Sequence, residues 1–241
     1  MNDSASGPPV PRLSLVQRLI GVIVSPADTF RSVAAHPTWL GVLVVQLVVV
    51  GAAPAVFLLT DVGKAASVDQ SVSTIESFGG TVNDQMYEVI RRQAEFAWII
   101  QPLTIMIFGP VTVAALAGVL FGVFTVMGGE STFRHVFAVV AHAGVVTMLQ
   151  PLLTMPLNYQ QQRMSSATNL AVFLPMLEEG SFLGSVLGVM DLFYIWYAIV
   201  MAVGLAAVYR RRAAPIAVGL LAVLVVIGVA VATLKVALGG R

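Results

Sequence analysis

Five long stretches of this sequence carry almost no charge. They lie at about 39–60, 98–127, 136–157, 182–209 and 213–235. The hydrocarbon core of a bilayer is about 30 Å thick, and roughly 20 apolar residues cross it as a helix. A spanning backbone must satisfy its own hydrogen bonds, and the stretches lack the alternation of a β-barrel, so each is predicted to be a transmembrane helix. The predicted fold class is an all-α membrane protein, a five-span transmembrane helical bundle over residues 38–237.

The composition agrees with this fold and excludes several functions. Only 10% of the residues are charged, against about 25% in a soluble domain. The net charge is +1 and no basic patch carries interleaved aromatic residues, which argues against nucleic-acid binding. The chain has no Cys and no H-E-x-x-H motif, so we expect no metal site and no cofactor. It also has no G-x-S-x-G motif, so we expect no catalytic residue and no enzyme.

The residues before the first span predict two interfacial amphipathic helices within 12–37, preceded by a disordered N-terminus at 1–11. Ser25 is predicted to cap the second helix, with Pro26 at its first position and Asp28 reaching back as in a capping box. The first helix is predicted to turn one apolar stripe toward the membrane. That stripe consists of Leu13, Val16, Leu19, Ile20 and Ile23.

Prolines and glycines predict where the spans bend and pack. The second stretch is longer than one crossing requires, and Pro102 and Pro110 predict a bend in it. The segment 61–96 is predicted to be a hydrophilic loop, broken at Gly79-Gly80, in which a capped helix runs as far as Ala94. The G-x-x-x-G pair Gly118–Gly122 predicts close helix packing within the bundle.

Basic residues near the span ends predict the orientation. With the N-terminus in the cytoplasm, the inner segments hold seven basic residues and the outer segments six, so the N-terminus is predicted inside and the C-terminus outside. The strongest anchor is the turn of Arg210, Arg211 and Arg212. These arginines would fix the topology, and they could also bind anionic lipid headgroups. The predicted location is a membrane that the chain crosses several times, with the bilayer as the first partner.

Four polar residues inside the spans are the candidate intramembrane sites. Placing the carboxylate of Asp191 inside a membrane costs free energy, and two interpretations of it are open. It either binds a proton, cation or solute, or it is a structural carboxylate. Counting 1.5 Å per residue from the inner span ends places Asp191 beside Gln150, and His142 beside Gln46. We therefore predict two polar contacts, Asp191–Gln150 and His142–Gln46. His142 itself is expected to be a neutral, packed histidine rather than a metal ligand.

Three stretches of the chain resemble the Yip family of membrane proteins (the Yip-one domain), in its bacterial form. The first is 21–31 with Ser25, Pro26 and Phe30, followed by His36-Pro37-Thr38-Trp39; the second is 128–143 with Gly128, Gly129 and Phe133; the third is 190–205 with Asp191 and Trp196. The resemblance implies a five-span bundle with a cytoplasmic N-terminus and, for the bacterial form, a location in the inner membrane. Eukaryotic members bind small GTPases, but this chain lacks their long polar N-terminal region, which argues against GTPase binding here.

Two functions from different classes follow. The first is a membrane scaffold or adaptor that organises a partner protein or lipid through the N-terminal helices and the inner turns. The second is a small-solute or ion transporter or channel, in which Asp191, Gln150 and His142 form an intramembrane polar track.

Overall fold

The computed structural model describes residues 10–164, 167–177 and 181–239, so most of the predicted disordered segment 1–11 lies outside the described residues. The described part of the chain is helical, without a multi-residue strand. Its helices are α1 (Leu15–Val24), α2 (Pro26–Ala35), α3 (Leu40–Leu58), α4 (Asp61–Ser77), α5 (Asp84–Val126), α6 (Phe133–Ala143), α7 (Val145–Gln161), α8 (Phe182–Val189), α9 (Leu192–Tyr209) and α10 (Ala213–Gly239), with a 3-10 turn at Leu170–Phe173.

Five helical segments are long and apolar enough to cross a membrane, which confirms the predicted fold class. They are Leu40–Leu58, Asp84–Val126, Phe133–Gln161, Leu192–Tyr209 and Ala213–Gly239. Helix α6 lies at the centre, in contact with α1, α2, α3, α5 and α9, and every residue from 136 to 143 is buried. Helices α5 and α10 lie at the periphery with most of their apolar surface exposed, as expected of helices that face lipid.

Two of the predicted spans are divided in the structure. The stretch 136–157 consists of α6 and the first part of α7, which meet at Gly144. The stretch 182–209 is not one helix, because Met190 and Asp191 separate α8 from α9, and only α9 is long enough to cross. Asp191 has extended backbone, as an N-cap residue requires, and this conformation ends the hydrogen-bond ladder of a continuous helix.

The N-terminal helices pack into the bundle instead of resting beside it. Phe30 of α2 is fully buried, and α2 runs along α9. A Cβ on Gly204 of α9 would lie 2.8 Å from the Phe30 ring, so the missing side chain is what admits the ring. The prediction that the apolar residues of α1 form one membrane-facing stripe is therefore wrong. Leu19 and Ile23 pack against the core, whereas Val16 and Ile20 are exposed on the outer side. Helix α1 is apolar on two sides.

The two N-terminal helices begin differently from the prediction. Ser25 does precede Pro26 at the start of α2, but its hydroxyl donates to the Asp28 carboxylate at 2.7 Å and does not cap the backbone. The capping box lies one helix earlier. Ser14 caps α1 by accepting from the amide of Gln17 at 3.3 Å, and the Gln17 side chain accepts from the Ser14 amide at 2.8 Å.

The segment predicted as a hydrophilic loop at 61–96 is a helical hairpin. Helix α4 turns at Gly79, whose φ of +79° suits glycine, and α5 then begins behind the cap Asn83. A capped helix is present, as predicted, but it does not end at Ala94: α5 continues through Pro102 and Pro110 to Val126. Its extensive packing against α3, where Gly51 lies against Pro102, supports the helix where the prolines remove hydrogen bonds.

The G-x-x-x-G pair on α5 does not mediate packing in the bundle. A Cβ placed on Gly118 or on Gly122 would meet nothing within 4 Å. The predicted close approach is wrong because this side of α5 turns away from α3 and α6.

Candidate functional site

Asp191 is buried, with 2% of its surface exposed, and it holds three elements together. As the N-cap of α9, its Oδ1 accepts from the amide of Phe193 at 2.8 Å. Its Oδ2 accepts from Gln150 Nε2 at 2.9 Å and from Thr168 Oγ1 at 2.6 Å. The predicted Asp191–Gln150 contact is therefore present, and the carboxylate joins α7 and the segment before the 3-10 turn to the start of α9.

The backbone around Asp191 is also paired. The amide of Leu170 donates to the carbonyl of Met190 at 2.9 Å, and the amide of Leu192 donates to the carbonyl of Thr168 at 3.0 Å. These bonds form an isolated antiparallel bridge between Asn169 and Asp191. A helix break inside a membrane leaves backbone groups that need partners, and this bridge supplies them. The geometry is that of a structural carboxylate that closes a helix break.

His142 is fully buried on α6, but its partner is not Gln46. Its Nδ1 lies 2.7 Å from the carbonyl of Ala138, and its Nε2 lies 3.4 Å from Arg18 Nη1. Gln46 instead lies against Gly144 at the α6–α7 junction, and its buried Oε1 has no hydrogen-bond partner among the described residues. The His142–Gln46 prediction is wrong because the depth count did not include α1, whose arginine reaches the imidazole.

Arg18 is a site residue that the sequence analysis did not identify. Its Nη1 donates to the carbonyl of Thr38 at 3.0 Å and to the Thr38 hydroxyl at 2.6 Å, in addition to the His142 contact. Partial burial lowers the pKa of Arg18 from its ordinary value. The one available signal was its position inside the apolar helix α1, where an arginine needs a polar partner within the bundle.

Two other arginines form hydrogen bonds to loop carbonyls at the same end of the molecule. Arg134 Nε donates to the carbonyl of Pro37 at 3.2 Å, and Arg211 Nη2 donates to the carbonyl of Met127 at 2.7 Å. Together with Arg18, they connect the starts of α1, α3, α6 and α10. We call this end of the bundle the basic end; its arginines are Arg12, Arg18, Arg31, Arg134, Arg210, Arg211 and Arg212.

Aromatic stacking fixes the turn next to Arg211. The rings of Phe124 and Tyr209 stack with centroids 4.4 Å apart, and the Arg211 guanidinium lies 6.0 Å from the Phe124 centroid. Gly129 lies under Tyr209, where a Cβ would come within 2.7 Å of the ring. Arg210 ends α9 with a φ of +51°, and the side chains of Arg210 and Arg212 are exposed.

The remaining motif residues serve packing and turns. Gly128 has a φ of +75° in the turn after α5. Phe133 packs against Phe137 with ring centroids 5.8 Å apart. The ring centroids of Trp196 and Phe193 are 6.3 Å apart. Within the described residues, no three His, Asp or Glu side chains come close enough to hold a metal ion. A groove of about 460 Å³ lies between α4 and α5, near Ser71 and Gln101, and Asp191 does not line it.

The helical bundle, with five segments able to cross a bilayer, defines the class: this is a multi-pass membrane protein. Its sequence matches the family model of the Yip1 domain over residues 20–234, and the chain belongs to that family. No curated protein and no solved structure matches the chain. The family is generally non-enzymatic. The match spans all three stretches that carry the resemblance, so the predicted membership of the Yip family is confirmed.

Proposed function

We propose that this chain is a non-enzymatic membrane scaffold or adaptor, a bacterial-type member of the family in the inner membrane, that organises a partner protein or lipid at its basic end. The N-terminus and the basic end face the cytoplasm, and the C-terminus lies outside. GTPase binding is not part of this proposal.

The observation that carries the proposal is the difference between the two ends of the bundle. The basic end holds seven arginines and, among the described residues, the two carboxylates of Asp28 and Glu130. The opposite end, which carries the α4–α5 hairpin, holds six described carboxylates and five basic side chains. Basic residues concentrate on the cytoplasmic side of membrane proteins, so the charge difference supports the orientation.

The rigidity of the basic end supports a binding role. Arg18 of α1 and Arg134 of α6 both donate to carbonyls of the linker between α2 and α3, and Arg211 donates to the carbonyl of Met127 after α5. These bonds hold α1, α6 and the α9–α10 turn to neighbouring segments. The outer face of α2 then presents Ala27 and Ala35 to solvent or lipid. A surface ordered before binding loses less conformational entropy when a partner docks.

The transport alternative has less support. Both carboxylate oxygens of Asp191 accept hydrogen bonds from three protein donors. The third residue of the predicted polar track, His142, contacts Arg18 and the carbonyl of Ala138 instead of Asp191 or Gln150. We therefore assign structural roles to these residues.

Site-specific photo-crosslinking in native membranes tests the proposal. A crosslinkable residue is placed at Ala27 or Ala35 on α2 and, as the control, at the exposed Gln70 on α4. We expect one protein adduct of defined mass from the α2 positions, absent from position 70 and preserved in an Asp191→Asn background. Identical adducts from both ends, or no protein adduct from α2, would overturn the scaffold proposal. Loss of a solute-linked growth phenotype in Asp191→Asn would favour transport instead.

A further inference from the structure

The arginines of the basic end fall into two groups. Three are used within the fold: Arg18, Arg134 and Arg211 donate to carbonyls of Thr38, Pro37 and Met127. The other four side chains point outward, and these are Arg12, Arg31, Arg210 and Arg212. Arg31 forms an exposed ion pair with Asp28, which contributes little in solvent.

Arg210 and Arg212 are the strongest candidates for an external ligand. Both side chains are exposed, and within the described part of the chain neither forms a hydrogen bond or an ion pair. They flank Arg211, which is fixed between Met127 and the Phe124 ring. The two free guanidinium groups are therefore held on a rigid turn.

A separate apolar surface lies on helix α1, which belongs to the same end of the bundle. On the outer side of α1, Val16, Ile20 and Val24 are 62%, 55% and 72% exposed. They are spaced four residues apart and share one helix face. Helix α1 lies where the bundle enters the membrane, because Arg18 contacts both Thr38, just before α3, and His142, about 10 Å along α6 from His135. Apolar side chains at this depth suit acyl chains, while arginines at the bundle end suit headgroups.

We propose that the basic end binds anionic phospholipids: Arg210 and Arg212 hold headgroup phosphates, and the outer face of α1 contacts acyl chains of lipids in the same leaflet. This inference rests on the proposed function for its orientation in the membrane. A guanidinium donates two parallel hydrogen bonds to a phosphate, and the surplus of arginine over carboxylate at this end complements a negative ligand.

Native mass spectrometry of the purified full chain tests the inference. The protein is prepared in detergent micelles that contain equal amounts of phosphatidylglycerol and phosphatidylcholine. The wild type is expected to retain phosphatidylglycerol preferentially, and Arg210→Gln/Arg212→Gln to lower its affinity about fivefold for each arginine removed. Arg210→Lys/Arg212→Lys keeps the charge but loses the paired hydrogen bonds, so the preference should fall by less than in Arg210→Gln/Arg212→Gln.

A matched control uses the other end of the molecule. Arg91→Gln/Arg92→Gln removes two exposed arginines from α5, next to the hairpin, and should leave the lipid preference unchanged. Equal losses in both double variants, or no preference in the wild type, would overturn the inference. Addition of inorganic phosphate should not displace the lipid; if it does, the site takes free phosphate and the acyl contact is wrong.

Folding, topology and function can be separated in this design. Detergent-solubilised protein has no membrane orientation, and thermal unfolding of each variant shows whether it is folded. If lipid preference holds while crosslinking at α2 finds no protein, the scaffold proposal fails alone. If crosslinking succeeds and no lipid preference is found, the lipid inference fails and the scaffold proposal stands.

Discussion

At the scale of single residues, the two buried polar groups that the sequence singled out both contact other segments of the fold. Asp191 caps α9 and accepts from Gln150 and Thr168, and His142 receives Arg18. A carboxylate inside a membrane is costly unless several donors surround it, which is the case here.

Substitutions of Asp191 should therefore lower the free energy of unfolding, and the loss should grow with the number of hydrogen bonds removed. Asp191→Ala removes the cap and the acceptor for two side chains and should lower the free energy of unfolding by about 2–4 kcal/mol. Asp191→Asn should cost less, since its oxygen still accepts from the amide of Phe193. Denaturation in mixed micelles measures both, with Asp69→Ala on the exposed surface of α4 as the control. Equal stability of Asp191→Ala and the control would contradict the structural role.

Counting residues from the inner span ends predicted the Asp191–Gln150 contact correctly and the His142–Gln46 contact incorrectly. Gln150 and Asp191 lie on segments whose lengths from the basic end can be counted in sequence, so their contact could be predicted. His142 meets Arg18 because α1 enters the bundle, and nothing in the residues of the spans reveals that α1 lies there.

At the scale of elements, small residues decide where helices meet. Gly204 admits the Phe30 ring and so holds α2 on α9, whereas Gly118 faces away from the other helices. Sequence alone treats such glycines alike, because which side of a span faces protein depends on the packing of the whole bundle.

These two glycines give a matched test of how α2 is docked. Gly204→Ala places a Cβ 2.5 Å from Val139 Cγ1 and 2.8 Å from the Phe30 ring, so α2 or α6 must shift. We expect a loss of about 1–3 kcal/mol, as for other overpacked cores. A single cysteine at the buried Val33 should also become reactive toward maleimides, a clean readout since the chain has no Cys. Gly118→Ala should change neither quantity. Unaltered protection of position 33 in Gly204→Ala would show that α2 does not depend on this contact.

Secondary structure was predictable where one local rule dominates. The apolar stretches, the Gly79 turn and the start of α5 follow from composition, backbone freedom and capping. The breaks at Gly144 and Asp191, and the continuation of α5 through two prolines, depend on neighbours that supply hydrogen bonds or packing. These neighbours are distant in sequence.

At the scale of the whole molecule, the two ends are built differently. The 43 residues of α5 extend for about 64 Å, roughly twice the thickness of the hydrocarbon core. Its first turns pair with α4, where Lys64 contacts Glu95 at 2.6 Å, and form a hairpin of mixed charge. The other end is held by arginines and carries the exposed faces of α1 and α2. The proposed scaffold and lipid-binding roles both require the basic end to face the cytoplasm.

Cysteine labelling in intact cells tests that requirement most directly. Single cysteines at Ala35 on α2 and at Gln70 on α4 are both exposed, and the natural chain contributes no background thiol. With a membrane-impermeant maleimide, the account predicts that position 70 reacts in intact cells and that position 35 reacts only after permeabilisation. Reaction at position 35 in intact cells, with position 70 protected until permeabilisation, would contradict it.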